Sequence, residues 1–271
     1  MRHTSTLTTM ALLLAGLLAA AAIGCDEGKS TSNNEGGSGG EGGGNTTGEG
    51  AGNTGTNTET GTGTETSTTP GNTSMIDDME DGDGSILNVE GRLGAWYTYN
   101  DESPTGTQTP PVGDAFEMSP LNPPRGTSAF GAHTSGSGFD TWGSGFGFDF
   151  NNNGTTKMGY DASKFTGITF WAKIADGTTG VIRVNIGDKN TAPEGGVCDD
   201  AGGKCNDDFG AGISVTAEWK QYTLKFSELA QVGWSMVLLP SVEKSALYSV
   251  HFQTGAMSKF DIWIIDIVFT E

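Results

Sequence analysis

The sequence is poor in basic residues. It has 14 Lys and Arg residues against 33 Asp and Glu residues, which gives a formal net charge of −19. Nucleic acid and anionic lipid headgroups repel a chain of this charge, so neither is an expected partner. Such acidity is typical of a soluble surface, and a minority of these carboxylates is also compatible with calcium coordination.

The sequence also lacks an apolar run long enough to cross a membrane comfortably, since a spanning helix needs about 20 residues. Its main apolar stretch, residues 10–23, follows Arg2 and is typical of a secretory signal. The stretch ends in residues 22–25 (AIGC), which resemble the lipobox of bacterial lipoproteins. That resemblance implies cleavage after residue 24 and lipidation of Cys25. The alternative is an ordinary signal peptide with an incidental cysteine.

Residues 26–74 contain no aromatic residue and no Leu, Ile or Val. Burial cannot offset the chain entropy of such a segment, which we predict to be a disordered tether. A Gly-rich chain of this length has a root-mean-square reach of about 40 Å. We therefore predict a signal peptide at 1–24, a tether at 25–74 and a domain at 75–271. Lipid at Cys25 would hold the chain in the cell envelope, at the outer membrane or cell surface.

From residue 75 onward, short alternating apolar runs are separated by turn residues. This pattern predicts one all-β domain, an antiparallel β-sandwich of jelly-roll type. One helical turn is expected at residues 227–231. The predicted strands are residues 94–99, 127–133, 144–150, 167–174, 180–187, 218–226, 247–254 and 259–269.

Alternation assigns one face of each strand to the core. The predicted inward residues are Ile168, Phe170, Ala172, Ile174, Ile182, Val184, Ile186, Tyr248, Val250 and Phe252. The opposite face then carries indole, guanidinium, amide and imidazole groups, which suit the apolar faces and hydroxyls of sugars. The alternative is an ordinary solvated sheet face. The predicted outward residues are Trp171, Lys173, Arg183, Asn185, His251 and Gln253.

The last predicted strand is apolar on both faces, so it must be central or covered. Asp266 interrupts it and needs compensation if buried. A second acidic group, residues 76–81 (IDDMED), opens the domain. A calcium ion joining the first and last strands would satisfy both groups. The alternative is a hydrogen-bonded or protonated Asp266.

The chain has only three cysteines. With Cys25 assigned to lipidation, Cys198 and Cys205 remain. Two cysteines this close in an exported protein are expected to form a disulfide. Zinc binding is the alternative, but no His or further Cys lies nearby in the sequence.

Three segments together resemble galactose-binding-like jelly rolls, and among these the family 11 carbohydrate-binding modules found beside bacterial β-glucanases. Residues 216–231 also agree with this family. The three segments are residues 76–81 (IDDMED), 165–173 (FTGITFWAK) and 260–267 (FDIWIIDI).

The resemblance implies a concave cleft that binds β-glucan through Tyr, Arg and Asp side chains. Arg183 and Asn185 resemble the family's Arg-x-Asp arrangement, with Asn in place of Asp. Tyr97 and Tyr99 resemble its early aromatic platform. The family also implies a structural calcium where the first and last strands meet, at Asp77, Glu80 and Asp266.

These features favour a surface-held protein that binds a β-linked polysaccharide such as a glucan, without catalysis. A polysaccharide lyase or hydrolase on the same fold is an alternative. In a lyase, Arg183, Asn185 and Gln253 would neutralise a uronate carboxylate, and His251 would take the proton. A protein-binding lipoprotein of the envelope is a third possibility. Paired carboxylates, which a hydrolase needs, do not stand out on the predicted cleft strands.

The calcium assignment predicts that a chelator lowers the melting temperature of the protein, because a bound ion stabilises only the folded state. Calorimetric melting with and without exhaustive chelation tests it. An unchanged melting temperature would remove the calcium assignment.

Overall fold

The computed structural model describes residues 74–271. The predicted signal peptide, Cys25 and the tether up to residue 73 lie outside the described residues. Within residues 74–271, no helix is long and apolar enough to cross a membrane.

The described residues form fourteen β-strands and three short 3₁₀ turns. The turns are Pro193–Gly195, Phe226–Glu228 and Lys244–Ala246. The strands are β1 (Ser74–Asp77), β2 (Trp96–Asn100), β3 (Thr107–Thr109), β4 (Ser119–Arg125), β5 (Ser128–Ser137), β6 (Ser144–Asp149), β7 (Asn151–Asn152), β8 (Lys157–Met158), β9 (Gly167–Ile174), β10 (Val181–Asp188), β11 (Phe209–Ser214), β12 (Lys220–Lys225), β13 (Leu247–Thr254) and β14 (Phe260–Thr270).

Two antiparallel sheets make the sandwich, so the predicted all-β jelly-roll sandwich is confirmed. The seven-stranded sheet has the order β12-β9-β14-β5-β3, with β1 paired to β14 and β4 paired to β5. The five-stranded sheet has the order β11-β10-β13-β6-β2. A separate ribbon pairs β7 with β8. The last strand, β14, lies inside the seven-stranded sheet, as its two apolar faces predict.

Alternation places the core as predicted, except at Tyr248, which is buried outside the apolar core while its neighbour Leu247 lies in it. Ile182, Val184 and Ile186 of β10 are buried, and so are Val250 and Phe252 of β13. On β9 the same pattern buries Ile168, Phe170 and Ala172, while Ile174 is only partly buried. These rows from the two sheets meet in one apolar core.

A buried hydrogen bond joins the two sheets near the first strand. Trp96 lies in the core, where its ring packs against Phe146, Phe148 and Phe252. Its indole Nε1 donates to the carboxyl of Asp77 at 2.7 Å. Because Asp77 belongs to β1 and Trp96 to β2, this bond ties the seven-stranded sheet to the five-stranded sheet.

Cys198 and Cys205 form the predicted disulfide, with their Cα atoms 5.2 Å apart. It closes the loop between β10 and β11. The half-buried sulfur of Cys198 also lies 3.4 Å from the carbonyl oxygen of Thr191. The bridge therefore holds this loop against the end of β10.

The buried carboxyl of Asp77 makes the folding stability depend on pH. Burial raises its pKa from 3.8 to about 7, against hydrogen bonds from Trp96 and Met79 that lower it. The folded state therefore keeps a proton that the unfolded state loses near pH 4. Protonated Asp77 contributes to the free energy of unfolding. This contribution is complete below about pH 4 and is lost as the pH rises through about 7, and over that range the free energy of unfolding falls by about 1.4 kcal/mol per pH unit.

Asp77→Asn should remove this slope, because an amide does not titrate in that window. The measurement is the free energy of unfolding of both proteins by denaturant between pH 4 and pH 8. Asp114→Asn, on an exposed loop, serves as the control. A difference between wild type and Asp77→Asn that stays constant over this range would contradict the assignment.

Candidate functional site

The outer face of the five-stranded sheet carries two parallel rows of residues that cross all five strands. Directly opposed residues on antiparallel strands stand about 5 Å apart, so each row is a continuous band. The first row is Gly210, Asn185, His251, Gly147 and Tyr97, and the second is Gly212, Arg183, Gln253, Gly145 and Tyr99.

Strand β6 supplies only glycines to these rows, and this lets neighbouring rings lie across it. A Cβ atom at Gly145 would stand 2.4 Å from the hydroxyl oxygen of Tyr99. One at Gly147 would stand 2.9 Å from a ring carbon of His251. Any side chain at either position would displace these rings, so the glycines are needed for the shape of the floor.

Tyr97 and His251 form the most closely coupled pair on this floor. The Tyr97 hydroxyl lies 2.6 Å from Nε2 of His251 and 3.1 Å from a carboxylate oxygen of Asp149. Its single proton goes to one of these two partners. The other ring nitrogen of His251 lies 3.4 Å from Asp208. Burial raises the pKa of Tyr97 well above its usual range, with the charge of Asp149 adding to the effect, so the phenol stays neutral.

The second polar group of the floor consists of Arg183, Asn185 and Gln253. The Asn185 amide donates to the Gln253 side-chain oxygen at 3.1 Å. This bond fixes the Gln253 amide with its NH₂ group available for a ligand. The Arg183 guanidinium donates to the backbone oxygen of Ala230. Burial lowers the pKa of Arg183, although the nearby charges of Asp207 and Asp208 oppose this.

Two loops, which carry Trp142 and Trp234, flank this floor and form a cleft with it. Trp142 stands on one side, with its ring stacked 6.0 Å from that of Tyr99. Trp234 comes from the loop after β12. Both indoles line two adjoining cavities of about 730 and 420 Å³, which share Asn185 and Gln253 as common floor. The cleft is therefore continuous and carries an exposed indole at each margin.

Two buried polar atoms of this cleft lack a hydrogen-bond partner. They are the hydroxyl oxygen of Tyr99 and one carboxylate oxygen, Oδ1, of Asp208. An unpaired buried polar atom is costly, so both atoms favour a hydrogen-bonding partner from outside the described residues. Because both are buried, a ligand reaches them only when the residues that cover them move.

Six residues that line the larger cavity of the cleft were not predicted from the sequence: Asn100, Trp142, Lys157, Asn206, Asp208 and Trp234. All six lie in loops or at strand ends, where alternation gives no information. One usable signal was present, because both tryptophans occur in turn-like segments (TWGSG and VGWSM) where a large indole has no core to enter.

Trp171 was assigned to the wrong surface. It lies on β9, in the seven-stranded sheet, and therefore on the opposite side of the sandwich from the cleft. There the Arg125 guanidinium stacks 3.4 Å above its ring. Alternation was right that Trp171 and Lys173 point outward, but it does not tell which sheet a strand joins. The other predicted ligand residues, from Tyr97 to Gln253, lie together on the cleft floor.

The predicted calcium ligands have protein partners. Glu80 accepts hydrogen bonds from the backbone N–H groups of Ala129 and Phe130. Asp77 is bonded to Trp96, as described above. Among residues 74–271, no group of three His, Cys, Asp or Glu side chains is arranged to hold a metal ion. Asp77, Glu80 and Asp266 each accept a hydrogen bond from a protein group, and calcium binding stays a prediction for the chelator experiment.

Asp266 is compensated by protein groups. A register shift in β14 places it at φ +53°, and its side chain turns outward to stay partly exposed. The Arg125 guanidinium lies 3.3 Å from its carboxylate, and the Ser128 hydroxyl lies at the same distance. Burial raises the pKa of Asp266, and the charge of Arg125 opposes that rise.

No protein-family model and no curated protein matches the chain. Among solved structures, it is similar to the family 11 carbohydrate-binding module of cellulosomal cellulase Lic26A-Cel5E of Clostridium thermocellum. The identity is 16%, over 73% of this chain and 94% of that chain, with a TM-score of 0.44. The chain is also similar to the Clostridium thermocellum family 11 module in complex with a β-1,3-1,4-mixed-linked tetrasaccharide. The identity is 18%, over 74% of this chain and 96% of that chain, with a TM-score of 0.45.

A family 30 carbohydrate-binding module is also similar, with 12% identity over 73% of this chain and 99% of that chain and a TM-score of 0.44. The family named from the sequence is thus among the solved structures to which this chain is similar.

Proposed function

We propose that this protein is a lipid-anchored carbohydrate-binding protein whose cleft holds a neutral β-linked polysaccharide such as a glucan. The observation that carries the proposal is the pair of polar rows on the five-stranded sheet. They bring Arg183, Gln253, Asn185 and His251 together on a floor flanked by exposed indoles. Sugar rings have apolar faces for the indoles and hydroxyls for the amide, guanidinium and carboxylate groups.

The charges of the cleft favour a neutral ligand. The Lys157 ammonium is paired with Asp149 at 3.0 Å and with Glu194 at 3.4 Å. The positive charge of Arg183 lies near the carboxylates of Asp207 and Asp208, and Asp208 has one buried carboxylate oxygen without a hydrogen-bond partner. A free carboxylate accepts hydrogen bonds from hydroxyl groups and repels an acidic sugar.

The amino-terminal segments give this cleft its setting. Lipid on Cys25 anchors the chain in the membrane, and the tether at residues 26–74 spaces the domain from it. The ligand is then a polysaccharide of the envelope or its surroundings. Only the lipid enters the membrane, and the domain binds the polysaccharide outside it.

A polysaccharide lyase is the second candidate, because the Tyr97 hydroxyl and His251 Nε2 lie 2.6 Å apart on the floor. In such a reaction a base removes the proton next to the uronate carboxylate, the bond to the leaving oxygen breaks, and that oxygen is protonated. Asp149 and Asp208 flank the pair and repel a uronate. We expect no new ultraviolet absorbance from unsaturated products on incubation with acidic polysaccharides, and its appearance would favour the lyase.

Binding should depend on Gln253. Gln253→Ala removes the amide from the centre of the floor and leaves the Asn185 NH₂ group without its partner. Loss of one such hydrogen-bonding group costs about 1–1.5 kcal/mol, so we expect about tenfold weaker binding. The measurement is affinity electrophoresis of the full-length chain on soluble β-glucans and mannans.

Gln221→Ala is the matched control, because Gln221 is an exposed residue of β12 in the seven-stranded sheet, opposite Trp171. We expect it to bind like wild type. Equal affinities of all three proteins would remove Gln253 from the site. Failure of the wild type to be retained by any of these polymers would contradict the proposed function.

A further inference from the structure

Residues 232–238, the apolar loop, expose several large hydrophobic side chains in succession. Met236 is 83% exposed and Leu238 is 72% exposed. Monomeric proteins seldom present a contiguous apolar patch without an interaction that covers it. The exposed side chains of the loop are Val232, Trp234, Met236, Val237 and Leu238.

The loop is held in this conformation by buried polar groups. Asp207 is only 1% exposed, and its carboxylate accepts from the backbone N–H groups of Gly233 and Ser235 and from the Ser235 hydroxyl. These distances are 3.0, 3.2 and 2.8 Å. The Gln231 side chain donates to the Asp207 backbone oxygen and accepts from the Leu239 N–H. A preorganised loop presents its apolar side chains without an ordering cost on binding.

The apolar loop is continuous with the cleft. Val232 and Trp234 line the cleft itself. Met236 and Leu238 are not among its lining residues, and Val237 lines a separate cavity beside Cys198 of the disulfide loop. No residue of the segment 232–239 (VGWSMVLL) carries a charge. Ion pairing with an anionic partner therefore has no basis here, and the contact that the loop offers is to an apolar surface.

We infer that the apolar loop extends the cleft and covers the apolar C–H faces of sugar rings in the same polysaccharide, outside the cleft. The inference rests on the proposed function and narrows its ligand class to long or packed chains. An oligosaccharide that fills the floor reaches Trp234 only, whereas a polymer continues over the loop. The loop thus selects polymer over short fragments.

The test is a triple variant of the full-length chain, Met236→Asn, Val237→Ser and Leu238→Ser. Asn is chosen because Met236 has φ +63°, a conformation that Asn tolerates. We expect about tenfold weaker retention on insoluble β-glucan, with unchanged affinity for a soluble tetrasaccharide by calorimetry. Val112→Ser replaces an exposed valine in another loop and is the matched control, with melting temperatures to verify folding.

The outcomes separate the two proposals. If Gln253→Ala weakens binding to both ligands while the triple variant binds insoluble glucan like wild type, the inference is overturned and the cleft function stands. If wild type binds neither ligand, the proposed function itself fails. Two other outcomes, with glucan retention intact, would overturn the inference. Loss of binding to phosphatidylcholine vesicles, measured with Cys25→Ser in both proteins to remove the lipid, would favour a lipid surface, and loss of self-association in sedimentation would favour a second copy.

Discussion

The alternation of β10 and β13, in the five-stranded sheet, is the constraint on which the rest of the structure depends. Every second residue from Ile182 to Ile186 of β10 is committed to the core, and so are Val250 and Phe252 of β13. A one-residue slip would expose that apolar set and bury Arg183 and His251 without partners, so the register is strongly specified. With the register fixed, the intervening residues must form rows on the outer face. The cleft floor is thus a by-product of core formation.

Much of this could be read from the sequence. The predicted limits of β9 and β13 agree with the structure, because both strands carry alternating apolar residues over most of their length. β11 was missed, since its glycines (FGAGIS) leave almost no hydrophobic pattern. β4 was missed because three prolines interrupt it. The error at Trp171 has another origin, since strand partners are chosen by long-range packing, which local periodicity does not encode.

The two outer faces of the sandwich carry similar residue types, but their aromatic rings have different partners. On the seven-stranded sheet, Lys173 lies 5.1 Å from the ring of Trp219 and 5.6 Å from that of Trp263, and Arg125 covers Trp171. Those rings therefore already make cation–π contacts within the protein. At the cleft, Trp142 and Trp234 stand at the margins of an open floor with unpaired polar atoms. Residue type alone therefore does not distinguish the open cleft from the face whose rings are covered by the protein's own cations. The glycines of β6 and the flanking loops do distinguish them.

The indole N–H signals of the tryptophans in a ¹⁵N-labelled full-length chain test the central claim most directly. Titration with a soluble β-glucan oligosaccharide should shift the signals of Trp142 and Trp234, because they flank the floor. The signals of Trp171 and Trp263, on the seven-stranded sheet, and of Trp219, beside Lys173 of that sheet, should stay in place. Shifts confined to those three residues, or no shift with any neutral oligosaccharide, would contradict a sugar site on the five-stranded sheet.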